Sequence, residues 1–346
     1  MSRLKMPLPP MEADTVEEIP RGREWLYEPK WDGFRCIAFR RGKRVELQSK
    51  SGKPLTRYFP EVVADLAKLH ANQFVLDGEL VIPIGNRLSF NDLLMRIHPA
   101  ASRIRKLAHE TPAMYIVFDL LEDRTGMLTD LALEKRRKRL ATFARQEFNR
   151  SDRVALSPAT HDVKIARRWF ASAGKALDGI IAKRTNVGYQ SDDRTGMEKI
   201  KRQRTADCVV GGFRYATKGR VVGSLLLGLY NSDGLLDHVG YTSSMARSER
   251  AALTRKLKRL IAPPGFTGKA PGGPSRWSTK RSTEWEPLKP KLVIEVEYDH
   301  FTGGRFRHGT RFIRWRPDKA PRQCNMEQVS HSGTGSLKLL KRNGKV

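Results

Sequence analysis

The chain has 346 residues, enough for about two domains with separate hydrophobic cores. Lys and Arg total 65 against 37 Asp and Glu, and the net charge of +28 favours nucleic acid as partner. No apolar run of about 18 residues predicts a membrane span, and no apolar signal segment is visible near the N-terminus. Three distant cysteines argue against a disulfide framework or a zinc site and suit a reducing cytosol.

Residues 1–204 alternate between strand-like and helix-like segments. The predicted strands are Phe34–Phe39 and Val45–Leu47, which form a hairpin, and Phe74–Ile82, Met114–Leu121 and Leu177–Lys183. The predicted helices, which carry apolar residues at helical spacing, are Arg57–His70, Leu131–Gln146 and Ile165–Ala173. This mixed order predicts an α+β domain without a regular βαβ repeat.

From Asp207 onward the apolar segments are all strand-like. They are Cys208–Phe213, Val221–Tyr230, Leu235–Ser243, Leu292–Phe301 and Thr310–Pro317, with a turn at Asn231–Gly234 and a Pro/Gly-rich loop at 262–275. About five strands with one long connection predict a small barrel such as the OB-fold, in preference to an unspecified β-sandwich. We expect the basic tail from residue 331 onward to be mobile.

Charged side chains interrupt several apolar strands, where burial of a charge is costly unless the charge is used or paired. They are Lys30, Asp32, Asp77, Glu79, Asp119, Asp178, Lys183, Lys199 and Lys201. Each alone is compatible with an ordinary strand end, but together they indicate one cleft whose bases suit polyphosphate and whose acids suit Mg²⁺ or ribose. No glycine-rich phosphate loop occurs, so side chains would hold the phosphates.

A lysine in such a cleft is a candidate nucleophile. Its ordinary pKa of about 10.4 means that it needs neighbouring cations, desolvation or a metal to lose its proton near neutral pH. Attack of its amine on phosphorus would form a covalent phosphoramidate. Residue types alone leave this a hypothesis.

An ordered series of motifs supports the hypothesis. The sequence KWDGFR at Lys30–Arg35 resembles K-x-D-G-x-R of the covalent nucleotidyltransferases, which comprise ATP-dependent DNA ligases, RNA ligases and capping enzymes. The motifs that follow it in family order are Asp77–Glu79, Phe118–Asp119, Asp178–Lys183, Lys199–Lys201 and Arg314–Lys319. The segments EPKWDGFR, RTADCVVGGF and FRHGTRFIRWRPDK most resemble small stand-alone bacterial DNA ligases, which are related to the ligase module of ligase D.

The resemblance implies an architecture and a reaction. Residues 1–204 would form an ATP-grasp-like nucleotidyltransferase domain with antiparallel sheets and flanking helices, and residues 205–346 an OB-fold barrel with a basic tail. The cofactors would be ATP and Mg²⁺ or Mn²⁺, and nicked double-stranded DNA would be sealed through a lysyl-AMP intermediate. We expect a monomer that acts in repair in the cytoplasm, at the nucleoid, with a repair polymerase as partner and no membrane association.

The resemblance also implies roles for individual residues. Lys30 would be the nucleophile. The nucleotide-binding residues would be Glu28, Arg35, Lys50, Glu79, Phe118, Lys183, Lys199 and Lys201; the residues that orient pyrophosphate would be Arg316, Asp318 and Lys319; and the metal ligands would be Asp32, Glu79 and Asp178. Asp178 stands where the family usually has glutamate, and Lys50, where relatives commonly have arginine, lacks a bidentate fork for phosphate.

Two other readings remain open at this point. One is an RNA ligase or a GTP-using capping guanylyltransferase, which the RTADCVVGGF and RFIRWRPDK segments disfavour. The other is a non-catalytic OB-fold nucleic-acid-binding protein with a degenerate transferase domain. The joint presence of Lys30, Glu79 and Lys183 with the lysine pair at 199 and 201 argues against loss of catalysis.

Overall fold

A computed structural model describes residues 3–171, 177–201, 203–217, 219–272, 284–329 and 337–341. Contacts divide the chain into two units, Met1–Arg202 with Ser332–Val346, and Gln203–His331. The first of these units includes Leu339 and Leu340, which pack against an apolar cluster that contains Trp31 and Leu177. Most of the predicted mobile tail, residues 331–336 and 342–346, lies outside the described residues.

The first unit combines strands and helices, as the sequence predicts. Its strands are β1 (Asp14–Val16), β2 (Trp25–Lys30), β3 (Phe34–Arg41), β4 (Arg44–Ser49), β5 (Gln73–Val81), β6 (Pro83–Ile84), β7 (Arg87–Leu88), β8 (Met114–Asp123), β9 (Gly126–Met127), β10 (Val154–Leu156), β11 (Gly179–Arg184) and β12 (Met197–Lys201). Its helices are α1 (Pro60–Lys68), α2 (Phe90–Met95), α3 (Ala101–Glu110), α4 (Leu133–Glu147) and α5 (Val163–Ala171), with 3₁₀ turns at Thr56–Tyr58 and Phe148–Arg150.

Two sheets position the site in this unit. The smaller sheet has the order β1-β12-β11-β2, in which β1 and β12 are parallel and the other pairs antiparallel. The larger sheet has the order β10-β8-β5-β3-β4, in which β10 and β8 are parallel and the other neighbours antiparallel. The predicted α+β class with mainly antiparallel sheets is therefore confirmed.

The core of the first unit follows from its apolar pattern. In α4, Leu133, Leu140, Phe143 and Ala144 recur at helical spacing and are buried, while most of its basic residues lie on the other face. Phe143 packs edge-on against Phe74 of β5, with ring centroids 5.5 Å apart. Helices α2 and α3 were not predicted. Each buries a single residue, Leu93 in α2 and Ile104 in α3, so the apolar stripe on each helix is narrow.

The second unit is a β-barrel. Its elements are β13 (Arg204–Tyr215), β14 (Val222–Tyr230), β15 (Leu236–Thr242), α6 (Arg250–Lys258), β16 (Glu286–Pro287), β17 (Val293–Tyr298), β18 (Phe301–Thr302), β19 (Arg305–Phe306) and β20 (Arg311–Trp315), with 3₁₀ turns at Arg247–Glu249, Pro321–Gln323 and Met326–Val329. The strand order is β15-β14-β13-β17-β20, and β16 also pairs with β13. A parallel bridge between Thr242 and Thr310 joins the two ends of this order and closes the barrel.

This closed five-strand order confirms the predicted OB-fold. The predicted last-but-one strand, Leu292–Phe301, is longer than observed, because Phe301 pairs with Phe306 in a separate hairpin. A short helix, α7 (Lys338–Lys341), follows in the part of the chain grouped with the first unit. Among the described residues, no helix has the length and apolar character needed to cross a membrane.

Candidate active site

An open pocket with an empty volume of about 480 Å³ lies in the first unit and is lined by strands of both sheets. Its lining residues are Ala13, Glu28, Pro29, Lys30, Trp31, Arg35, Glu79, Phe118, Ile181, Lys183 and Met197. Six of these, namely Glu28, Lys30, Arg35, Glu79, Phe118 and Lys183, belong to the site predicted from the sequence. The two sheets therefore bring together residues from motifs that are far apart along the chain.

Lys30 is the last residue of β2 and contacts Asp178 through its ammonium group. Cross-strand pairing explains the contact, because Lys30 is paired with Gly179 and the Asp178 amide donates to the Lys30 carbonyl at 3.0 Å. A side chain at Gly179 would be strained, since its φ is +151° and a Cβ would lie 2.1 Å from the Ile200 carbonyl oxygen. The glycine of this motif thus lets β11 and β12 pack closely beside the lysine.

The electrostatic surroundings of Lys30 stabilise its charged form. Burial by itself lowers the pKa of Lys30, but Asp178, followed by Glu79 and Asp32, outweighs burial and raises that pKa above its ordinary value. Lys201 also approaches Asp178, with 3.6 Å between its Nζ and the same carboxylate oxygen. In the free protein Lys30 is therefore protonated at neutral pH.

Glu79 lies opposite Arg35 across the β3–β5 pair, on the pocket side. Burial raises the pKa of Glu79 to about 7, against the opposing influence of Lys30 and Arg35. The approach of the two strands needs a glycine at position 33, because a Cβ there would lie 2.2 Å from the Leu80 carbonyl oxygen. Near neutral pH, Glu79 is therefore present in both its protonated and its ionised form.

Arg35 is fixed by a buried network of hydrogen bonds. Its Nε and Nη2 each donate to Asp77 at 2.6 Å, and the Tyr189 hydroxyl donates to the same carboxylate at 2.7 Å. The Met11 amide in turn donates to the Tyr189 hydroxyl at 3.0 Å. Asp77, the first residue of the D-G-E motif, therefore positions Arg35 from behind the pocket wall, and no sequence signal pointed to Tyr189.

Phe118 and Asp119 point to different surroundings, as alternation along a strand requires. The Phe118 ring has two cations over it, the guanidinium carbon of Arg35 at 4.6 Å from the centroid and Nζ of Lys183 at 4.4 Å. Asp119 instead accepts two hydrogen bonds of 3.0 Å from the buried Arg136. Phe118 therefore lines the pocket, whereas Asp119 forms an ion pair of the core.

Glu28 is the buried acid of the pocket wall, with 2 % of its surface exposed. One carboxylate oxygen accepts from Lys183 Nζ at 2.9 Å, and the other lies 3.3 Å from Nη1 of Arg137 on α4. Arg137 was missed because it stands in a run of basic residues, KRRKR, in which nothing in the sequence distinguishes it from its neighbours.

The remaining predicted lysines lie beside the N-terminal segment. Lys50 pairs with Glu12 at 2.8 Å, and Lys199 donates to the Ala13 carbonyl at 2.6 Å. Burial, and then the nearby Lys201 charge, lowers the pKa of Lys199. Ala13 itself lines the pocket, so Lys199 lies at its edge, whereas Lys50 is not among the lining residues.

Of the predicted metal ligands Asp32, Glu79 and Asp178, only Asp178 has a direct contact with the Lys30 amine, and all three raise the pKa of Lys30. They do not form a ready-made cage, since the described residues contain no group of three or more His, Cys, Asp or Glu that could hold a metal. Mg²⁺ commonly takes one or two carboxylates together with substrate phosphate oxygens. Carboxylates of this kind fit a metal that is shared with a nucleotide.

The second unit gathers the predicted RWRPDK residues into one ionic cluster. Arg316 contacts Asp207 and Asp318, each at 2.8 Å, and Lys319 lies 3.1 Å from Asp207. Hydrogen bonds from Arg316 lower the pKa of Asp318 to about 2. Asp207 of β13 was not predicted, although it lies within the RTADCVVGGF segment that carried the resemblance.

The fold and the pocket define a class, the nucleotidyltransferases that join a lysine-centred catalytic domain to an OB-fold barrel. Two family profiles match the chain, an ATP dependent DNA ligase domain at residues 10–201 and an ATP dependent DNA ligase C terminal region at residues 218–319. The chain therefore belongs to the ATP-dependent DNA ligase family, and its activity is the ATP-dependent joining of DNA.

Named relatives agree with this assignment. DNA ligase C2 of Mycolicibacterium smegmatis is 44% identical, over 93% of this chain and 94% of the relative. DNA ligase C of Mycobacterium tuberculosis is 42% identical, over 96% of both chains. The multifunctional non-homologous end joining protein LigD of Pseudomonas aeruginosa is 30% identical, over 94% of this chain but only 38% of that protein. The predicted relation to the ligase module of ligase D is thus confirmed.

Proposed function

We propose that this ligase seals nicks between a 5′-phosphate and a 3′-hydroxyl through a lysyl-AMP intermediate, with Lys30 as the nucleophile. The observation that carries the proposal is the convergence on one pocket of Lys30, Phe118 and Lys183 from three separate motifs. Lys30 supplies an amine that becomes a nucleophile when it loses its proton. The acids and bases beside it are of the kinds that phosphoryl transfer requires.

The reaction has three steps. The Lys30 amine attacks the α-phosphorus of ATP, forming an N–P bond while the bond to pyrophosphate breaks and pyrophosphate departs. AMP then passes to the 5′-phosphate of the nick, which frees Lys30. The adjacent 3′-hydroxyl finally attacks this activated phosphate, closing the strand and releasing AMP.

Before attack, Lys30 must lose the proton that Asp178 helps it to keep. Because Asp178 raises the pKa of Lys30, any cation that neutralises this carboxylate favours the free amine. Asp178, with Glu79 or Asp32, would hold the divalent metal, which would supply charge neutralisation at the phosphates. Lys201, whose Nζ lies 3.6 Å from an Asp178 oxygen, would exchange this partner for a phosphate.

The other residues would hold the nucleotide. Phe118 would stack on adenine, and Glu79 would bind the ribose. Glu28, as a carboxylate that only accepts hydrogen bonds, suits the exocyclic amine of adenine. The nucleotide phosphates, the nucleotide sugar or the 5′-phosphate of the nick would be contacted by Arg35, Lys50, Lys183, Lys199 and Lys201. Pyrophosphate would be oriented by Arg316 and Lys319 together with Asp318.

DNA is the substrate of the family, and the net charge of +28 supplies attraction for its phosphates. We further propose a role in repair, because a relative that matches nearly the whole chain is named as an end-joining protein. We also propose that the protein acts as a monomer on nucleoid DNA in the cytoplasm, with a repair polymerase as its partner.

The test is incubation with α-labelled ATP or GTP and Mg²⁺ or Mn²⁺, followed by detection of label on the protein. We expect labelling by ATP, none with Lys30→Arg, and an undiminished adduct with Lys135→Arg, an exposed lysine on α4. Nicked DNA should discharge the adduct, and nicked RNA should not. Label on Lys30→Arg would remove Lys30 as the nucleophile, and preferred discharge by RNA would indicate an RNA ligase.

A further inference from the structure

We propose that Arg137 is a positioning residue that holds Glu28 in place for the selection of adenine over 6-oxopurine nucleotides. Arg137 lies on α4, outside every sequence motif described above and outside the residues that line the pocket. The inference rests on the proposed function, since it takes Glu28 to face the base of the bound nucleotide.

Arg137 joins the two sheets on either side of the pocket. Its Nη1 lies 3.3 Å from the Glu28 carboxylate on β2, and its Nη2 donates to the carbonyl of Ser157, which follows β10. The guanidinium is largely shielded, with 14% of the side chain exposed. A planar fork of this kind fixes the direction of both contacts, which a single ammonium would not do.

Ser157 is itself a rigid anchor. It is fully buried, and its amide donates to the Val117 carbonyl of β8 at 2.8 Å. Its hydroxyl accepts from the indole nitrogen of Trp31 at 3.0 Å. Trp31 directly follows Lys30, so the residues that hold Arg137 also hold the segment that carries the proposed nucleophile.

Glu28 has a second partner, Lys183, but the two cations are not equivalent. Lys183 lines the pocket, lies over the Phe118 ring and is a proposed phosphate ligand. When Lys183 turns to a phosphate, Arg137 is the contact that still holds the Glu28 carboxylate. A buried carboxylate that loses its cationic partners would be costly to keep charged and free to rotate.

The chemistry of the base edge then determines the selection. An ionised carboxylate only accepts hydrogen bonds, whereas the 6-position of adenine offers an amine donor and that of guanine an oxygen acceptor. A carboxylate that Arg137 fixes opposite position 6 therefore favours the amine of adenine over the oxygen of a 6-oxopurine. Without Arg137, the Glu28 side chain would rotate away from the base, and the enzyme would discriminate less between adenine and 6-oxopurine nucleotides.

The experiment compares wild type, Arg137→Gln and Arg137→Lys in single-turnover adenylation with ATP and with inosine triphosphate, which carries oxygen at position 6. The matched control is Arg139→Gln, which lies on the same helix and pairs with Asp123 near the surface, with 43% of its side chain exposed. Melting temperatures are measured for all variants, so that loss of fold is separated from loss of selection.

For Arg137→Gln we expect the half-saturating ATP concentration to rise about tenfold and the preference for ATP over inosine triphosphate to fall by a similar factor, the loss typical of one charge-assisted hydrogen bond. The maximal rate should change little, Arg137→Lys should restore part of the preference, and Arg139→Gln should match wild type. An unchanged ratio in folded Arg137→Gln or, should that variant not fold, in folded Arg137→Lys would overturn the inference. Failure of wild type to form any adduct would instead overturn the proposed function.

Discussion

Asp178 and Lys30 are in direct contact although 148 residues separate them along the chain. The contact arises because β11 and β2 are antiparallel neighbours that pair Gly179 with Lys30. It joins the residue that we propose as nucleophile to the carboxylate that keeps it protonated. Under the proposed function, Asp178 would therefore control when Lys30 is ready to react.

Removal of this carboxylate charge should change the pH dependence of enzyme adenylation. In Asp178→Asn, the largest influence that raises the pKa of Lys30 is lost while burial, which lowers it, remains. We expect the pH of half-maximal adenylation to fall by about one unit or more, and the maximal rate to fall roughly tenfold or more through loss of phosphate and metal contacts. Single-turnover rates from pH 6 to about 10 would measure both effects. Asp178→Glu, which retains the charge, serves as the control, and a profile shifted to higher pH in Asp178→Asn would contradict this account.

Glu79 should make stability depend on pH in a defined direction. The pKa of Glu79 is raised from its ordinary value of 4.5 to about 7 in the folded protein. The folding stability that Glu79 contributes is therefore fully present below the unfolded-state pKa and is lost as the pH rises through 7. Glu79→Gln should therefore be more stable than wild type at pH 8, by roughly 1–2 kcal/mol, with the difference smaller at pH 5. Urea unfolding at the two pH values measures this. Equal differences at both would rule out titration of Glu79 as the cause.

Loss of the Tyr189–Asp77 hydrogen bond should affect ATP binding through Arg35 more than it affects the stability of the fold. Tyr189→Phe removes one hydroxyl from a buried carboxylate that keeps both hydrogen bonds from Arg35. We expect a loss of about 1 kcal/mol in stability and a rise in the half-saturating ATP concentration of roughly threefold to tenfold. Asp77→Asn should cost more on both measures, since it leaves the Arg35 guanidinium without its anion. Wild-type ATP affinity in both variants would show that this network does not position Arg35.

In the second unit, Asp207 should matter for adenylation of the enzyme but not for sealing of DNA that already carries AMP. Asp207→Asn removes the carboxylate that both Arg316 and Lys319 contact. We expect the adenylation rate to fall roughly tenfold, as for loss of one positioned charge pair, while sealing of pre-adenylated nicks is unchanged. Glu297→Gln is a matched control, because it breaks an ion pair with Arg311 in the same sheet. Equal loss in both assays would point to a general defect of the barrel.

Binding of nicked DNA should weaken steeply with salt. The charge of +28 provides many lysines and arginines for phosphate contacts, each of which releases condensed counterions. A protein that makes about six such contacts should lose on the order of a thousandfold in affinity between 50 and 200 mM salt. Titration of a labelled nicked duplex at several salt concentrations measures the slope, and a flat response would show that contacts other than phosphate neutralisation dominate.

The sequence alone was sufficient for the family and for the approximate position of about half of the described strands and helices. Apolar periodicity located β3, β5, β8 and α4 to within a few residues, because each buries a continuous apolar face. The motif residues were readable because glycines such as Gly179 and charges such as Lys183 stand at unusual places within apolar strands. That signal is local and needs no knowledge of the partner strands.

Only the tertiary structure decided which charges meet. Nothing in the sequence distinguishes Arg137 from Arg136 in the KRRKR run, yet the first holds Glu28 and the second holds the core residue Asp119. Tyr189, which lies between β11 and β12, likewise acquires its role only where the fold brings Asp77 to it. Ion pairs between distant segments depend on strand register and on the rotation of each helix about its axis, and long-range packing determines both. These ion pairs therefore cannot be predicted from the order of residues along the chain.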